Sequence, residues 1–588
     1  MAGVDGMEGR CCDAPPFPVP RVCTDMALAD IGPDFLTSLF AWATNDGPGA
    51  ALGIYRDGQP LLLRGFGLAN VEHGMPITPG TVFHVASLSK QVTAFCVALL
   101  AERGMLDLDQ PLGALFPEIP IAREITPRQI LHHCSGLRDQ WGLLDLAGWR
   151  HEDVKHDADI LGLCGRQRAL NFATGTRFQY INSGYTILAA AIERVTGMAL
   201  RAFAHEALFV PLGMHRTCFR DAFDLPLQGR ADAYARAADG TLRINNPAYA
   251  TAGPTGLFTT VADFAAWEQH LLQPQICSQA LIAAMHRPGL LNDGQSTGYG
   301  FGLAIGRYRG LEVAEHAGGD AAFRAHYLRF PVQRLAVAIF CNTATAPPGQ
   351  IARKIADHLL ADAFGAAADR AAAPAQASRA VGAEMPAGDA LLAFCGSYRE
   401  PGGQDRVEVR YRDGRLFLCP PGGPDYELAP TGPASFAFLG LDATCEFLVE
   451  PGAPMQFRTF YGGTQTASLE AVPPEAAGTP APVTDYVGIY DSAELDVAYR
   501  VALQGEALVL DRGRRGAHPL MPLRQDDFAC AGGLSIRFER DAAGAVAAML
   551  VSTERVWDLR FERRATLCAD QDKAMAGHAG PSTGAPSR

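Results

Sequence analysis

A serine and a lysine three residues apart, Ser87 and Lys90, are the strongest chemical feature of the chain. They lie at the start of a predicted helix, where residues three apart share one face. A serine hydroxyl is a weak nucleophile that needs an adjacent base. Lysine can be that base once burial or neighbouring cations lower its pKa, whereas arginine cannot. The pair therefore predicts the nucleophile and base of a serine hydrolase. The alternative is a surface lysine on a capped helix.

Lysine is scarce in this chain, which sets Lys90 apart. Of the 50 lysine and arginine residues only four are lysines, and Lys90 alone among them has a serine three residues before it. A titratable amine is therefore rare among the basic side chains, and its position beside a serine favours a catalytic role.

A second motif, Tyr180-Ile-Asn182, is the only Tyr-x-Asn in the chain. A phenol beside a cationic lysine can have a lowered pKa and relay a proton. The amide of Asn182 could hold a substrate carbonyl. The structural alternative is a buried tyrosine followed by an asparagine that caps a helix.

A third motif, His316-Ala-Gly318-Gly319, follows a strand-like segment. Glycines there would let a substrate lie close along a strand edge, and a backbone N–H could serve in an oxyanion hole. Arg324 lies five residues further on, and it either binds a substrate or holds a loop.

The residues around these motifs predict the elements that position them. Asp57-Gly58 predicts the turn of a hairpin. Two helices, two late strands and a closing helix are predicted at 87–103, 183–195, 299–305, 335–340 and 348–361. This order predicts an antiparallel sheet built from both ends of one region, with a helical insertion between them.

Composition divides the chain of 588 residues into one large region and two small ones. An Ala-rich segment and a Pro-rich segment read as linkers. The predicted units are a poorly ordered arm 1–26, a catalytic region 27–364, a linker 365–388, a first β-barrel 389–470, a linker 471–482, a second β-barrel 483–565 and a disordered tail 566–588. Glycine, tyrosine and two leucines recur in the small regions at one constant offset, which indicates a duplicated all-β module.

Composition also excludes several classes of protein. A hydrophobic fraction of 48% argues against a disordered chain, and a net charge of −13 argues against nucleic-acid binding. The most apolar stretch, residues 92–100, is too short to span a membrane, and no signal peptide is seen. None of the 14 cysteines has Cys-x-x-Cys spacing. These observations predict a cytoplasmic protein without a metal site, and they leave a homodimer open.

Together and in this order, Ser-x-x-Lys, Tyr-x-Asn and His-x-Gly resemble the motifs of the serine β-lactamase and penicillin-binding-protein family. They are similar to the branch with Tyr-x-Asn second, which includes class C β-lactamases, related esterases and D-stereospecific peptidases. Segments that support the resemblance are Gly65-Phe-Gly-Leu-Ala-Asn70, Ile130-Leu-His-His-Cys-Ser-Gly-Leu137 and Gly256-Leu-Phe-Thr-Thr-Val-Ala-Asp-Phe-Ala-Ala-Trp267. The resemblance extends over residues 45–345.

Within this family the chain most resembles the D-aminopeptidases, which carry two β-barrels after the catalytic domain. The segments concerned are Ser135-Gly-Leu-Arg-Asp-Gln-Trp141, Ala266-Trp-Glu-Gln269, Tyr299-Gly-Phe-Gly-Leu303 and Gly488-Ile-Tyr-Asp-Ser-Ala-Glu-Leu-Asp496. The resemblance implies a multidomain α+β chain. Its β-lactamase/transpeptidase-like catalytic domain has an antiparallel sheet flanked by helices and a helical subdomain, and two small antiparallel β-barrel domains follow.

The resemblance also implies a mechanism. Ser87 attacks the carbonyl of an amide and forms an acyl-enzyme, while Lys90 and Tyr180 move the proton to the leaving amine. The expected activity is release of N-terminal D-amino acids from short peptides or amides, without a cofactor.

Binding roles follow from the same resemblance. The backbone N–H groups of Ser87 and Gly319, with Gly318 beside them, would form the oxyanion hole. Asn182 would orient the substrate and His316 would polarise the site.

In these relatives a loop from the last barrel reaches the active site and helps to select a free amine. Residues 511–516, Asp-Arg-Gly-Arg-Arg-Gly, are the predicted counterpart. Three arginines suit a carboxylate, although Asp511 could pair with an ammonium. An esterase, a D-Ala-D-Ala carboxypeptidase, a β-lactamase and an inactive penicillin-binding or scaffold protein remain the alternatives.

Overall fold

The computed structural model describes three folded units: a catalytic region and two β-barrels. The described residues are 31–364 without 238, and 388–564 without 400–405, 413, 420–424, 439–442, 450–452, 462–463 and 473–481. The predicted arm 1–26 and tail 566–588 lie outside these residues, as do all but the ends of the two predicted linkers.

The catalytic region is built on a six-stranded sheet in which neighbouring strands are antiparallel. The strands in spatial order are Ala304–Tyr308, Leu311–Asp320, Phe323–Phe330, Leu335–Cys341, Ala50–Arg56 and Gln59–Phe66. Strands from the beginning and the end of the region thus form one sheet, which confirms the predicted architecture.

The strand Leu335–Cys341 explains why the sheet is covered on both faces. Side chains alternate across a strand. Val337 and Ile339 pack on one face with Ile351 of the closing helix, whereas Ala338 and Phe340 pack on the other face with the helical half of the region. The run is therefore apolar throughout instead of alternating with polar residues.

Most of the helices lie between the two groups of strands in the sequence, and helices cover both faces of the sheet. The α-helices are Pro33–Leu39, Ser89–Glu102, Pro127–Leu131, Gln140–Leu146, Asp157–Arg166, Ser183–Thr196, Leu200–Ala204, Val210–Leu212, Asp263–Leu272, Gln279–Met285 and Pro348–Leu359. A π-helical turn spans His205–Phe209, and 3₁₀ turns span Ala86–Leu88, Leu112–Ala114, Pro120–Ala122, Gly388–Phe394, Val483–Tyr486 and Gly513–Arg515. The predicted helices at 87–103, 183–195 and 348–361 are confirmed with small shifts at their ends.

Short strands position the loops of the helical half. They are Leu68–Asn70, Met75–Pro76, Phe83–His84, Lys155–His156, Cys218–Phe219, Tyr234–Arg236, Leu242–Ile244, Tyr249–Ala250 and Leu257–Thr259.

One predicted strand, 299–305, is only partly a strand, because pairing begins at Ala304. Gly302 has a φ of 76°, and a Cβ atom there would lie 2.4 Å from the backbone of Gln91. The segment Tyr299–Leu303 is therefore a loop pressed against the helix Ser89–Glu102, and it packs beside Lys90 instead of joining the sheet.

The two small units are closed antiparallel barrels of eight strands each. The first barrel contains Gly396–Arg399, Arg406–Arg412, Arg415–Cys419, Tyr426–Pro430, Ser435–Phe438, Ala443–Leu448, Gln456–Tyr461 and Thr464–Ala471. The second contains Gly488–Ser492, Val497–Gln504, Ala507–Asp511, Ala517–Arg524, Asp527–Cys530, Leu534–Arg540, Val546–Ser552 and Leu559–Arg563. The predicted pair of small all-β domains is confirmed.

A shared hydrogen bond supports the duplication. The hydroxyl of Tyr398 donates to the carbonyl of Phe394 at 2.8 Å, and the hydroxyl of Tyr490 donates to the carbonyl of Tyr486 at 2.7 Å. Each tyrosine closes its barrel onto the preceding 3₁₀ turn in the same way.

The second barrel packs directly against the catalytic region, and their buried side chains form one continuous core, whereas the first barrel has a core of its own. Consecutive strands alternate in direction, so the connections at 493–496, 512–516 and 553–558 all lie at one end of the second barrel. That end faces the helical half of the catalytic region. Within the described residues no helix is long and apolar enough to cross a membrane.

Candidate active site

Ser87 lies in a 3₁₀ turn, Ala86–Leu88, which leads directly into the helix Ser89–Glu102. Ala86 has a φ of 49°, a left-handed conformation that a residue with a Cβ atom adopts only at a cost. Ser87 is the one residue from 81 to 90 that is not fully buried. The strained turn therefore presents the Ser87 hydroxyl at the surface of an otherwise buried segment.

Lys90 is completely buried one turn further along the helix. Its Nζ lies 3.2 Å from the Oγ of Ser87, 2.8 Å from the Oδ1 of Asn182 and 2.9 Å from the carbonyl oxygen of Pro254. The predicted pairing of Ser87 with Lys90 is thus present, and Asn182 of the second motif joins it.

These three contacts define the protonation state that the site favours. The oxygens of Asn182 and Pro254 can only accept hydrogen bonds, so they occupy two N–H bonds of Lys90. Burial lowers the pKa of Lys90 well below its ordinary value. A neutral amine in this position directs its lone pair at the hydroxyl of Ser87, which is the arrangement a general base requires.

Asn182 is held by a carboxylate that the sequence analysis did not assign. The Oδ2 of Asp139 accepts the backbone N–H of Asn182 at 2.7 Å and its side-chain Nδ2 at 2.8 Å. Asp139 also caps the helix Gln140–Leu146 by accepting the N–H of Trp141. The amide of Asn182 therefore bridges Asp139 and Lys90, and only one of its N–H bonds remains for the predicted role of orienting substrate.

Tyr180 is half-buried and packs against the Lys90 amine, which lies 4.7 Å from the centre of the phenol ring. Burial raises the pKa of Tyr180, although Ser87 and the cation of Arg555 oppose that rise. The prediction that lysine lowers this pKa is therefore wrong for the free site, because desolvation is the larger effect. The Tyr180 hydroxyl is buried beside the hydroxyl of Ser87. A neutral phenol is thus available to pass a proton to a bound leaving group.

His316 lies beside Tyr180, with 5.9 Å between the ring centres. Its Nδ1 lies 2.7 Å from the carbonyl of Ala317, so it donates there, and its Nε2 accepts the hydroxyl of Tyr299 at 2.8 Å. Burial lowers the pKa of His316 to about 3. Both ring nitrogens are engaged and the ring is neutral, so the geometry fits a residue that positions its neighbours.

The glycines of the third motif lie on the strand Leu311–Asp320, which runs alongside the turn that carries Ser87. A Cβ atom at Gly318 would lie 2.3 Å from the carbonyl oxygen of Val85, so only glycine permits this approach. Pairing with the neighbouring edge strand ends at Glu315, which leaves the edge from residue 316 to residue 320 open beside the turn that carries Ser87. An extended substrate could pair along this edge, as the sequence predicts, with Gly319 in reach of the reacting carbonyl.

Two predicted substrate-binding residues have other contacts. The Nη1 of Arg324 donates to the carbonyls of Ala321 and Phe323 at 3.1 Å and 2.7 Å, which is the loop-holding alternative. Asp511 accepts the N–H of Gly513 within its own turn. The neighbouring Arg512 binds Asp145 at the end of the helix Gln140–Leu146. Segment 511–516 therefore docks the barrel, and within the described part of the chain its ion pairs go to Asp145 and Asp153 and not to the residues around Ser87.

A different loop of the second barrel, residues 553–558, reaches the site. The carbonyl of Arg555 accepts the backbone N–H of Asp139 at 3.0 Å, and its Nη1 lies 3.7 Å from the Oδ2 of Asp139. Burial is the main cause of the lowered pKa values of Lys90 and His133, and the Arg555 cation is close enough to lower both further. No motif marks Arg555 in the sequence, since it is one arginine among many in the two barrels.

A second unassigned carboxylate, Asp320, follows the glycines on the same strand. Its Oδ2 accepts the hydroxyl of Tyr249 in a very short contact, and lies 3.1 Å from the Nε2 of His84 and 3.3 Å from the Oγ1 of Thr255. Its side chain is 21% exposed, so part of the carboxylate faces solvent near the reacting residues.

The lowered pKa of Lys90 predicts the pH dependence of acylation. The base must be unprotonated, so the rate rises with pH through the pKa of Lys90 and is level above it. We expect that plateau to begin well below 10.5, the ordinary value for lysine. The rate at which a fluorophosphonate labels Ser87, measured from mildly acidic to alkaline pH, tests this. A rate that still rises near 10.5 would mean a solvated, ordinary lysine.

The sheet with its helical half and the Ser-x-x-Lys turn define a fold of the β-lactamase and transpeptidase type. A family model described as Beta-lactamase matches residues 41–362, and the chain belongs to this family. The resemblance inferred from the three motifs is thereby confirmed.

Curated relatives refine this likeness. A D-aminopeptidase of Gluconobacter oxydans (strain 621H) is 29% identical over 302 residues, which cover 51% of this chain and 57% of that protein. Penicillin-binding protein 4* of Bacillus subtilis (strain 168) is 26% identical over 435 residues, covering 70% of this chain and 92% of that protein. The alignments span less than two thirds of the length of the first D-aminopeptidases that the chain matches.

The fold also matches a solved structure. The octameric penicillin-binding protein homologue from Pyrococcus abyssi has a TM-score of 0.52 at 20% sequence identity, over 82% of this chain and 98% of that one. At this identity the likeness concerns the fold alone.

Proposed function

We propose that this protein is a serine hydrolase that releases N-terminal D-amino acids from short peptides or amides through an acyl-enzyme. The proposal rests on the buried Lys90 amine. Its nitrogen donates to two carbonyl oxygens, and its lone pair is directed at the Ser87 hydroxyl. Such a pair activates a serine that would otherwise be a weak nucleophile.

The reaction follows from the positions of these groups. Lys90 takes the hydroxyl proton as Ser87 Oγ forms a bond to the substrate carbonyl carbon. The backbone N–H groups of Ser87 and Gly319 stabilise the oxyanion. The Tyr180 hydroxyl donates a proton to the leaving amine and is reprotonated from Lys90. Water then attacks the acyl-enzyme ester and releases the acid. Its proton moves in the reverse direction, through Tyr180 and Lys90 to the oxygen of Ser87.

Specificity for a free N-terminal amine is supported by Asp320 and by the names of the relatives. A carboxylate at the end of the strand that would bind the substrate is a natural partner for an ammonium group. Asp320 supplies that charge in place of Asp511, the residue suggested by the sequence. The D-configuration rests on the relatives, several of which are named D-aminopeptidase.

A substrate panel tests the proposal. We expect D-alanine p-nitroanilide to be hydrolysed faster than its L-isomer, and faster than p-nitrophenyl butyrate or nitrocefin relative to their uncatalysed rates. Turnover of the ester alone would exclude the aminopeptidase, and turnover of nitrocefin alone would favour a β-lactamase.

Ser87→Ala should abolish both turnover and fluorophosphonate labelling. Unchanged labelling of that variant would exclude the mechanism, and no labelling of the wild type would favour the inactive binding protein.

The remaining expectations concern the protein as a whole. A homodimer and a cytoplasmic location stay predictions from the sequence. Sedimentation of the purified full chain would test the first, and fractionation of cells that produce it would test the second.

A further inference from the structure

The side chain of Arg555 is half-buried beside Asp139, yet it makes no hydrogen bond within the described residues. Its two ion-pair distances are 3.7 Å to Asp139 and 3.8 Å to Glu554, both beyond hydrogen-bond length. Glu554 is 78% exposed, so that pair is worth little. A guanidinium has five N–H donors. At 30% side-chain exposure, most of Arg555 is withdrawn from solvent without direct partners for those donors.

The loop itself does not need this side chain in order to dock. The carbonyl of Arg555 accepts the N–H of Asp139 and, at 3.0 Å, the Nδ2 of Asn171. The next residues add a bond from the N–H of Trp557 to the Oδ1 of Asn171 and the packing of Val556 over Gly142. Backbone and apolar contacts therefore fix the loop and leave the guanidinium free for another role.

Asp139 does not need the side chain either. Its two oxygens already accept N–H groups of Asn182 and Trp141. The charge of Asp139 holds Arg555 nearby electrostatically and raises its pKa, so the guanidinium is permanently cationic. This cation has unused donors, lies beside the carboxylate that holds Asn182 and is within electrostatic reach of Tyr180. It suits a planar anion that can accept a forked pair of hydrogen bonds.

We propose that Arg555, supplied by the second barrel, binds a carboxylate of the substrate in the active site. The proposal deepens the proposed function and rests on it: the preferred peptides would carry a free carboxylate in addition to the N-terminal amine. That carboxylate could be the C-terminus of a dipeptide or an acidic side chain. The second barrel would thus contribute a specificity determinant as well as a wall of the cleft.

Three substrates distinguish the sources of the carboxylate. D-alanyl-D-alanine has a free C-terminus, D-alanyl-D-alanine amide has none, and D-alanyl-D-glutamic acid α-amide has only the side-chain carboxylate. In Arg555→Gln we expect kcat/KM to fall by about 10-fold to 100-fold for the substrate whose carboxylate is bound, the loss of a charge-assisted pair. The blocked amide should change less than about threefold, within the effect of a neutral contact. Glu554→Gln, on the same loop, is the matched control and should leave all three unchanged.

A binding measurement separates this inference from the proposed function. In the Ser87→Ala background, calorimetry with D-alanyl-D-alanine and with its amide reports recognition without turnover. Tighter binding of the carboxylate form that is lost in Arg555→Gln would support the inference even if the wild type hydrolysed none of the three. Equal losses for blocked and free substrates would overturn it, because Arg555 would then only position Asp139. No loss for any substrate would overturn it too. Thermal unfolding of each variant confirms that the fold is kept.

Discussion

Replacing Lys90 with arginine is expected to reduce acylation of Ser87 by about 10³-fold to 10⁴-fold, the upper range of what a general base contributes. Arginine keeps N–H donors for the oxygens of Asn182 and Pro254. It has no lone pair at neutral pH, so it cannot accept the hydroxyl proton. Burial favours the uncharged state of lysine, which is the state that arginine lacks. The measurement is the rate of fluorophosphonate labelling, together with kcat/KM for the D-alanine anilide.

Two further variants keep this test interpretable. Lys90→Met removes the amine without adding volume, so an equal loss in both variants cannot be assigned to a misfit of the larger arginine. Lys354→Arg makes the same substitution at an exposed position of the closing helix and should have no effect. If Lys90→Arg kept a tenth of the wild-type rate, Lys90 would not be the base.

Tyr180→Phe then separates the two proton-transfer groups. A p-nitrophenolate leaves without needing a proton, whereas an amine must be protonated as it leaves. If Tyr180 is the proton donor, its loss should slow amide hydrolysis much more than acylation by an activated ester. Equal losses with both kinds of substrate would instead assign the phenol to the first step, as a partner in activating Ser87.

The nucleophile and its base were predictable because their geometry is local. Residues three apart at a helix start share a face whatever the rest of the chain does, so Ser87 and Lys90 meet through helical spacing alone. The sheet was predictable for a similar reason, since an apolar run such as Leu335–Cys341 has few alternatives to a buried strand. Asn182 required the family pattern, because its contact with Lys90 spans 92 residues.

The residues that sequence reasoning missed meet through tertiary contacts that no local pattern encodes. Asp139 belongs to a segment that resembles the family, but its role depends on its contact with Asn182, which is distant in the sequence.

The sequence also does not show which of the loops 511–516 and 553–558 reaches the active site. Both lie at the same end of the barrel and both carry arginine, so composition does not decide between them. The orientation of the barrel on the catalytic region decides which loop reaches the site. In that orientation Arg512 contacts Asp145, whereas Arg555 lies beside Asp139.

The same orientation depends on a buried ion pair, which leads to the second large effect. Arg138, only 2% exposed, donates from Nη1 to Glu494 of the second barrel at 2.8 Å and from Nη2 to the carbonyl of Trp557 at 2.9 Å. Arg138→Met would leave Glu494 uncompensated in the interface, at a cost of about 3–5 kcal/mol for a broken buried pair. Since Arg138 also binds the carbonyls of Trp557 and Asp558 in this loop, we expect faster amide hydrogen exchange at 553–558 and a loss of hydrolysis, although Ser87 itself is unchanged.

A double-variant cycle distinguishes the ion pair from simple loss of packing. Glu494→Leu alone would leave the guanidinium of Arg138 buried without its anion, so it should be as damaging as Arg138→Met. Together the two substitutions remove both charges, and the pair should cost less than the sum of the single changes by about 2 kcal/mol or more. Additive costs would mean that the charges do not depend on one another. Because the chain has several domains, hydrogen exchange resolved along the sequence is the better readout than one melting temperature. The hydrogen bond from Arg138 to Trp557 stays lost in the double variant, so only partial recovery of protection at 553–558 is expected. Partial recovery of hydrolysis beside it would tie activity to docking of the barrel and not to the charges themselves.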